Sequence, residues 1–201
     1  MSVITDFLLE RTAVYRLWQA PFVKAKLAPA LSDTDFLQAH RVLDIGCGPG
    51  TNTRHFHQAE YLGLDLNPEY IDFARRRYRQ RFIVADATQI EIDNNERFDL
   101  ILINSLLHHI DDSGVLVTLD KASRLLTDHG CVYIFDLVLP EKPSIARTLA
   151  RWDRGAYPRT LGHWKSLFEH SLAPLKFEPY CVTFVGIVLW NMVYLKARRR
   201  R

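Results

Sequence analysis

The chain has 201 residues, of which 48% are hydrophobic and 24% charged, enough for one sizeable core and few for two domains. The formal net charge of +3 is small, so overall charge does not indicate a nucleic-acid or membrane partner. The three cysteines are odd in number, far apart and without metal-ligand spacing, so we expect a reducing, cytoplasmic setting and no metal site.

The N-terminal segment has the period of an amphipathic helix. Apolar residues recur at three- and four-residue steps from Ile4 to Phe22. Asp6 and Glu10 interrupt this run, so it does not resemble a signal peptide. We expect a helix that packs on the rest of the chain.

The central part of the chain alternates short apolar runs with longer amphipathic ones, which is typical of β-α-β units. The predicted strands read RVLDIG, YLGLDL, FIVAD, FDLILIN and CVYIFDL. Helices are predicted from about Thr51, from Asn67-Pro68, and from about Ser113 to Leu126, the last ending at Asp128-His129-Gly130. Because the strands lack polar alternation, helices must cover both faces, which predicts a doubly wound, mostly parallel α/β sheet.

The pattern changes after residue 137. Residues 138–160 contain three prolines and five cationic residues against two acidic ones, which predicts an excursion across the surface. A short helix around 161–172 then leads into two apolar strands with Gly186 at their turn, an antiparallel hairpin that completes a seven-stranded sheet. We prefer this hairpin to a membrane span, because the apolar run 181–195 falls short of the roughly 20 residues that a spanning helix needs.

Polar residues stand at the carboxyl ends of the predicted strands, where open α/β sheets bind their ligands. They are Asp44, Asp65, Asp86, Asn104 and Asp136. Four aspartates and an asparagine are therefore expected to face one crevice.

A glycine-rich turn, G-C-G-P-G, follows the first strand at residues 46–50. Asp65 lies 19 residues after the first of these glycines, where a carboxylate can bind both ribose hydroxyls. Two cofactors fit this arrangement, a nicotinamide dinucleotide and S-adenosylmethionine. A dinucleotide fingerprint would have glycine in place of Thr51, and Pro49 removes a backbone N–H that could have faced a pyrophosphate.

Charge also separates the two cofactors. Asp44 would repel a pyrophosphate, and residues 42–53 contain no Lys or Arg that could compensate for this repulsion. A sulfonium and an α-ammonium would instead be attracted to Asp44. The turn therefore favours a cationic cofactor with one small anionic end.

The motifs VLDIGCGPGT, GLDLNP, ADA and FDLILINSLLHHI, in this order and spacing, resemble those of class I S-adenosylmethionine-dependent methyltransferases, most closely the small type 11 group. The resemblance implies that the glycine turn contacts the methionine and ribose portions of the cofactor and that Asp65 binds the ribose hydroxyls. It also implies that Asp86 accepts from the adenine amino group beside Ala87, that Leu66 packs on adenine, and that Asn104 lines the methionine side.

The resemblance covers about residues 40–137, and in this family an N-terminal helix often folds over the cofactor, which would give Tyr15 and Trp18 a role. The cofactor-binding residues expected on these grounds are Tyr15, Asp44, Gly46, Cys47, Gly48, Gly50, Asp65, Leu66, Asp86, Ala87 and Asn104. The chain is interpreted as one Rossmann-like methyltransferase domain, with an N-terminal helical lid (1–38), a cofactor-binding core (39–137), an acceptor-side insertion (138–160) and a closing helix and strands (161–201).

Methyl transfer from a sulfonium is an in-line displacement, in which the protein mainly aligns the nucleophile and excludes water. A general base is needed only if the nucleophile carries a proton, and the candidates are His108, His109 and Asp136. The type 11 group has a similar His-His pair, but the resemblance does not assign a role to it. The alternative is that these histidines cap the next helix.

The insertion suits an acceptor with an anionic group and an apolar or planar body. Its arginines and large aromatic residues are Arg147, Arg151, Arg154, Arg159, Trp152 and Tyr157. Of these we expect Arg151, Arg154 and Tyr157 to contact the acceptor.

The sequence thus predicts a methyltransferase that uses S-adenosylmethionine, releases S-adenosylhomocysteine and acts on a small molecule. Asn104-Ser105-Leu106-Leu107 departs from the Asn/Asp-Pro-Pro-aromatic motif of many nucleic-acid and protein amino-methyltransferases. Two alternatives stay open: an RNA methyltransferase that uses the basic segment 74–81, and a non-catalytic relative that binds cofactor and a protein. The basic C-terminus, Arg198–Arg201, could at most make peripheral contact with anionic lipid.

Overall fold

A seven-stranded sheet with strand order β3-β2-β1-β4-β5-β7-β6 forms the centre of the computed structural model, which describes residues 22–93, 95–152 and 155–200. The strands are β1 (Arg41–Ile45), β2 (Glu60–Asp65), β3 (Arg81–Val84), β4 (Phe98–Asn104), β5 (Leu126–Val138), β6 (Leu172–Phe184) and β7 (Ile187–Arg199). Strands β1 to β5 pair in parallel, whereas β7 is antiparallel to both β5 and β6. The predicted doubly wound α/β fold with an antiparallel C-terminal hairpin is confirmed.

Helices cover both faces of this sheet. They are α1 (Val23–Leu27), α2 (Thr34–Leu37), α3 (Pro68–Arg77), α4 (Asp112–Arg124), α5 (Ile145–Trp152) and α6 (Leu161–Ser171), with 3-10 turns at Ala28–Ala30, Thr53–His55, Ala87–Gln89 and Leu107–His109. Alternate residues of β1 point to opposite faces, so Leu43 packs in one buried cluster with Val115 of α4, and Val42 packs in another with Ile71 of α3. This two-faced burial is what fixes the strand register.

The helix predicted from about Thr51 is wrong. The loop between β1 and β2 contains only the 3-10 turn Thr53–His55. Asn52 and Thr53 are buried, and the Asn52 side chain donates to the carboxylate of Asp44. The contact with Asp44 therefore orients this loop. Because its residues have low helix propensity, they would gain little stability from forming a helix instead.

The predicted end of the third helix is also wrong. Helix α4 ends at Arg124, and β5 begins at Leu126, so Gly130 lies inside a strand. A Cβ atom on Gly130 would lie 2.7 Å from the carbonyl oxygen of Phe98 on the neighbouring strand. The glycine is thus explained by the close approach of β4 and not by a helix end.

The C-terminal hairpin turns at Val185 and Gly186, as the sequence predicted for Gly186, and both residues have positive φ. The insertion differs from the predicted excursion, because it contains helix α5, and Ala150 of that helix packs with Met192 of β7. Of the predicted N-terminal helical lid (1–38), residues 1–21, including Tyr15 and Trp18, lie outside the described residues. Within the described ranges, no helix has the length and apolarity to cross a membrane.

We expect Gly130→Ala to destabilise the chain by about 1–3 kcal/mol, because the added methyl group meets rigid backbone on β4. Gly162→Ala is the matched control: a Cβ there meets nothing within 4 Å, and alanine in helix α6 should leave stability unchanged or raise it by up to about 1 kcal/mol. Urea unfolding followed by circular dichroism measures both. Equal effects of the two substitutions would contradict the strand placement of Gly130.

Candidate active site

The carboxyl edge of the parallel sheet gathers the polar residues that the sequence placed at strand ends. Asp44 lies one residue before the end of β1, Asp65 ends β2 and Asn104 ends β4, and these strands are paired side by side. Asp136 lies on β5, next to β4. The four side chains therefore lie along one edge, as predicted.

The glycine turn is packed on its inner side and open at Gly48. The amide of Gly46 donates to the carbonyl of Leu64, and the amide of Gly48 donates to Oδ2 of Asp65 at 2.8 Å. A side chain at Gly46 would collide with Leu106, whereas one at Gly48 would meet nothing within 4 Å. The turn thus holds Asp65 in place and leaves a backbone surface beside Gly48.

Asp44 is fully buried and only half satisfied. Its Oδ2 accepts from the Tyr61 hydroxyl at 2.7 Å and from Nδ2 of Asn52 at 3.2 Å, while its Oδ1 has no partner among the described residues. Burial raises the pKa of Asp44 to about 6, against the opposing effect of these two hydrogen bonds. A buried carboxylate with one open oxygen is suited to a cationic group or an N–H donor.

The other two aspartates are held by backbone amides. Asp65 accepts from Gly48 and from Asn67, and burial raises its pKa. Asp86 accepts from the amide and hydroxyl of Thr88 and thereby caps the 3-10 turn that starts at Ala87. The capping role of Asp86 is thus visible in the structure, and its contact with adenine stays a prediction. Leu66, which follows Asp65, is exposed, as a residue expected to pack on adenine should be.

A chain of polar contacts leads from Asp44 to a lysine. Asn52, which donates to Asp44, accepts from Nδ2 of Asn104 at 3.3 Å. Oδ1 of Asn104 accepts from the Ser105 hydroxyl, which in turn accepts from Nζ of Lys26 at 3.0 Å. The network brings a buried cation to the Asn104 end of the edge.

Sequence reasoning missed four members of this network. They are Lys26, Asn52, Tyr61 and Ser105. Lys26 is 79 residues from Ser105 in sequence, and the tyrosine reads as an ordinary strand residue, so neither carried a local signal. Asn52 had one, because it lies two residues after the glycine turn in a segment of poor helix formers.

His108 and Asp136 form a buried pair. Nδ1 of His108 lies 2.6 Å from Oδ1 of Asp136, whose carboxylate also accepts the amides of Leu107 and Leu137 at 2.8 and 2.7 Å. The ring of the exposed His109 contacts that of His108 in a tilted arrangement, with ring centroids 4.2 Å apart. The structure therefore orients His108 through a carboxylate, and the sequence had treated Asp136 only as a separate candidate base.

The arginines predicted at the acceptor side divide into different roles. Arg147 donates to the carbonyls of Pro140 and Glu141, so it connects two parts of the insertion to each other. Arg151 is exposed, and Arg154 lies outside the described residues. Tyr157 is exposed, and its amide donates to the carbonyl of His108 at 3.0 Å, so it lies next to the histidine pair.

Arg159 is buried and connects the insertion to the turn after β4. Its guanidinium donates to the carbonyls of Leu107 and Ile110 at 3.0 and 2.7 Å and to Asp112 at 2.7 Å, and it lies over the ring of Trp164. It thus binds the end of the insertion to the turn that carries His108. The sequence had considered Arg159 for the acceptor, and its burial shows a structural role instead.

In the basic segment 74–81, the ring of Tyr78 lies against Gly50 of the glycine turn, whereas the arginines on either side of it lie away from this edge. Arg75 donates to the carbonyl of Phe82, and Arg81 pairs with Glu96. Arg79 and Arg81 line a cavity with the first residues of β1 and β2, at the amino edge of the sheet. At the C-terminus, Arg200 donates to the carbonyls of Glu169 and His170 at the end of α6.

Comparisons with known proteins agree with this architecture. A family model described as a methyltransferase domain matches residues 42–130. An uncharacterized methyltransferase of Mycobacterium tuberculosis is 31% identical over 144 residues, which are 69% of this chain and 69% of that protein. The chain belongs to the class I S-adenosylmethionine-dependent methyltransferases.

Other relatives of this methyltransferase are more distant. A ubiquinone biosynthesis O-methyltransferase of Rhodopseudomonas palustris is 27% identical over 62% of this chain and 56% of its own length. Among solved structures, the plantazolicin methyltransferase BpumL, in complex with a desmethyl analogue and S-adenosylhomocysteine, has a TM-score of 0.71 and 17% identity over 98% of this chain and 93% of that one. A putative methyltransferase of Bacillus halodurans has a TM-score of 0.68 and 16% identity over 89% and 99%. These structures share the fold.

The described residues fit S-adenosylmethionine. The unpartnered Oδ1 of Asp44 suits a cofactor with an α-ammonium and a sulfonium, and a Cβ at Gly48 would enter the open space beside the turn. The two backbone hydrogen bonds fix the Asp65 carboxylate against that turn. Which of these residues contacts which part of the cofactor stays a prediction.

We expect Asp44→Asn to stabilise the cofactor-free enzyme at pH 8 and to abolish cofactor binding. Because the folded-state pKa is raised from 3.8 to about 6, the stability that protonated Asp44 contributes below about pH 4 is lost as the pH rises to 6, leaving a cost of about 3 kcal/mol above that pH. The gain from asparagine should therefore appear between pH 4 and pH 6 and persist above it.

The control for Asp44→Asn is Asp72→Asn, which makes the same charge change on an exposed residue of α3. Thermal unfolding from pH 4 to pH 8, with and without S-adenosylhomocysteine, measures both quantities. A loss of stability at pH 8 with retained cofactor binding would show that Asp44 has a structural role.

Proposed function

We propose that this methyltransferase acts on a small molecule that has an anionic group and an apolar or planar body. The observation that carries the proposal is the position of the insertion, which is fastened to the His108 turn by Arg159 and by the Tyr157 amide. Tyr157 is thereby exposed beside the histidine pair, and Arg151 is exposed on helix α5 of the same insertion. An aromatic ring and a guanidinium are suited to such an acceptor.

The names of relatives support a small acceptor. They include a ubiquinone biosynthesis O-methyltransferase and a plantazolicin methyltransferase solved with a desmethyl analogue of its product. The basic segment 74–81 does not favour RNA as the acceptor, because its residues Arg79 and Arg81 lie at the amino edge of the sheet, opposite the glycine turn.

His108 is the residue that we assign as general base for an acceptor that carries a proton. The cofactor, when bound, supplies an electrophilic methyl group on a positively charged sulfur. Asp136 favours the tautomer of His108 with its proton on Nδ1, so Nε2 carries the lone pair that would take the acceptor's proton. Asp136 acts as a positioning residue, and its two backbone hydrogen bonds hold it in that orientation.

The proposed function is tested by two measurements on the pure protein. Titration calorimetry should show binding of S-adenosylmethionine and S-adenosylhomocysteine and no heat with NAD⁺. Incubation of metabolite extracts with cofactor labelled in its methyl group should then transfer label to a small anionic compound, and Arg151→Ala should raise the KM for it. Transfer of the label to RNA, with a steep dependence on salt, would replace this proposal with the RNA alternative.

For the histidine pair, we expect His108→Ala to lower kcat by roughly 10²–10⁴-fold, the usual contribution of a general base. Asp136→Asn should lower kcat less and shift the acidic limb of the pH–rate profile, because it changes the partner of Nδ1. His109→Ala, which removes the exposed neighbour, is the matched control and should keep that limb. A His108→Ala enzyme with an unchanged pH profile would exclude the assigned base.

A further inference from the structure

The β6–β7 hairpin extends past the carboxyl edge of the sheet and ends in an apolar tip. The last pairing of β5 with β7 joins Val138 to Asn191, so the hairpin beyond that pair has no neighbouring strand among the described residues. The tip consists of Phe184, Val185, Ile187 and Val188, which are 58%, 84%, 49% and 36% exposed. An apolar surface therefore projects on the side of the sheet where the acceptor is proposed to bind.

The backbone of this tip is strained at Val185. Its φ of 48° lies in the left-handed region, which is unfavourable for a β-branched residue and is the usual place of asparagine or glycine in a two-residue hairpin turn. Asparagine here would make a more stable turn and would be more soluble. The geometry of the turn thus does not explain why residue 185 is valine, which is the most exposed of the four tip residues.

Helix α5 brings an exposed arginine and an exposed tryptophan to the side of the hairpin. Helix α5 packs beside the hairpin, because Ala150 lies in one buried cluster with Val182 and Trp190. The next two residues on that helix are the exposed Arg151 and Trp152, the latter 79% exposed.

A lysine of the insertion adds to these exposed cations. Lys142 in the insertion is exposed. Phe22, which precedes α1, packs on the rings of Phe184 and Trp190, whereas Lys24 on α1 lies close enough to His55 to lower the pKa of that histidine. The described part of the insertion contains one acidic residue, Glu141, and residues 181–195 include no charged residue. The surface thus has an uncharged apolar tip beside an insertion whose described residues carry more cations than acids.

We propose that this hairpin tip inserts into the surface of an anionic lipid bilayer, with exposed cations of the insertion against the lipid headgroups. An apolar tip, a flanking tryptophan and surrounding Lys and Arg form the composition that binds the headgroup boundary. The tip is narrow, whereas a specific protein interface needs about 1,000 Å² of buried area, so lipid suits it better than a protein partner. This inference rests on the proposed function in one respect only: the apolar part of the proposed acceptor would enter the active site from the lipid surface.

This surface is separate from the basic C-terminus. Leu172 at the start of β6 pairs with Arg199, so the C-terminal arginines lie at the other end of a hairpin whose strands each have 13 residues. At about 3.3 Å per residue, that distance is about 40 Å. Lipid contact at the tip therefore does not depend on the C-terminal arginines.

The test is flotation of the full chain with vesicles, without cofactor or acceptor. Wild-type protein should bind vesicles of equal parts phosphatidylcholine and phosphatidylglycerol more tightly than vesicles of phosphatidylcholine alone, and added salt should weaken this binding. The double variant Val185→Asn/Ile187→Thr should bind at least about tenfold more weakly, because two apolar side chains leave the lipid. Lys142→Gln should weaken binding about fivefold.

Two controls separate lipid binding from folding and from self-association. Leu175→Asn replaces a residue that is 51% exposed near the far end of β6, and it should bind vesicles as wild type does. Val185→Asn alone should keep or raise the melting temperature, since it relieves the strained turn. A lower melting temperature would mean that the chain itself covers the tip, and a dimer that Val185→Asn converts to monomer in sedimentation would mean that a second copy does.

Either of those results, or equal vesicle binding by wild type and the double variant, would overturn the proposal. Failure of the proposed function is a separate result, because vesicle binding is measured without methyl transfer and calorimetry of S-adenosylmethionine does not involve the tip.

Discussion

Two buried carboxylates at one edge of the sheet determine how the rest of that edge is arranged. A carboxylate removed from water needs donors around it, since burial disfavours its charge. Asp136 receives them from the protein, through the amides of Leu107 and Leu137 and through His108. Among the described residues, Asp44 receives them at one oxygen only. The first carboxylate therefore completes a structural unit that orients a histidine, and the second leaves a place for a cationic ligand.

The turn after β4 connects this edge to the acceptor side. Arg159 donates to the carbonyls of Leu107 and Ile110 on that turn, and its guanidinium lies over Trp164, whose indole N–H donates to the carbonyl of Leu137. Because Leu137 follows the buried aspartate of β5, the insertion, helix α6 and the histidine pair are held by one set of contacts. Movement of the insertion would therefore disturb the orientation of the histidine directly.

The sequence predicted the strands, their mostly parallel arrangement and the polar residues at their ends, because these follow from apolar runs and from where each run stops. It failed where a residue is placed by a distant partner. The loop after the glycine turn is shaped by Asn52 reaching Asp44, and Gly130 is required by the carbonyl of Phe98 on another strand. Lys26 reaches the edge from 79 residues away, a contact that no local pattern contains.

Local conformational rules are broken mainly along this same edge. Ser105 has a φ of 57°, Val185 has a φ of 48°, and Asp44 keeps a buried oxygen without a described partner. At the helix starts the rules hold, as with Asn67 and Asp111, which cap α3 and α4 with side-chain hydrogen bonds. Since a chain tolerates local strain where ligands must be met, the two strained residues agree with binding on the carboxyl side of the sheet. Buried polar atoms without a described partner are spread more widely, because the hydroxyls of Tyr133 and Tyr194 belong to them as well.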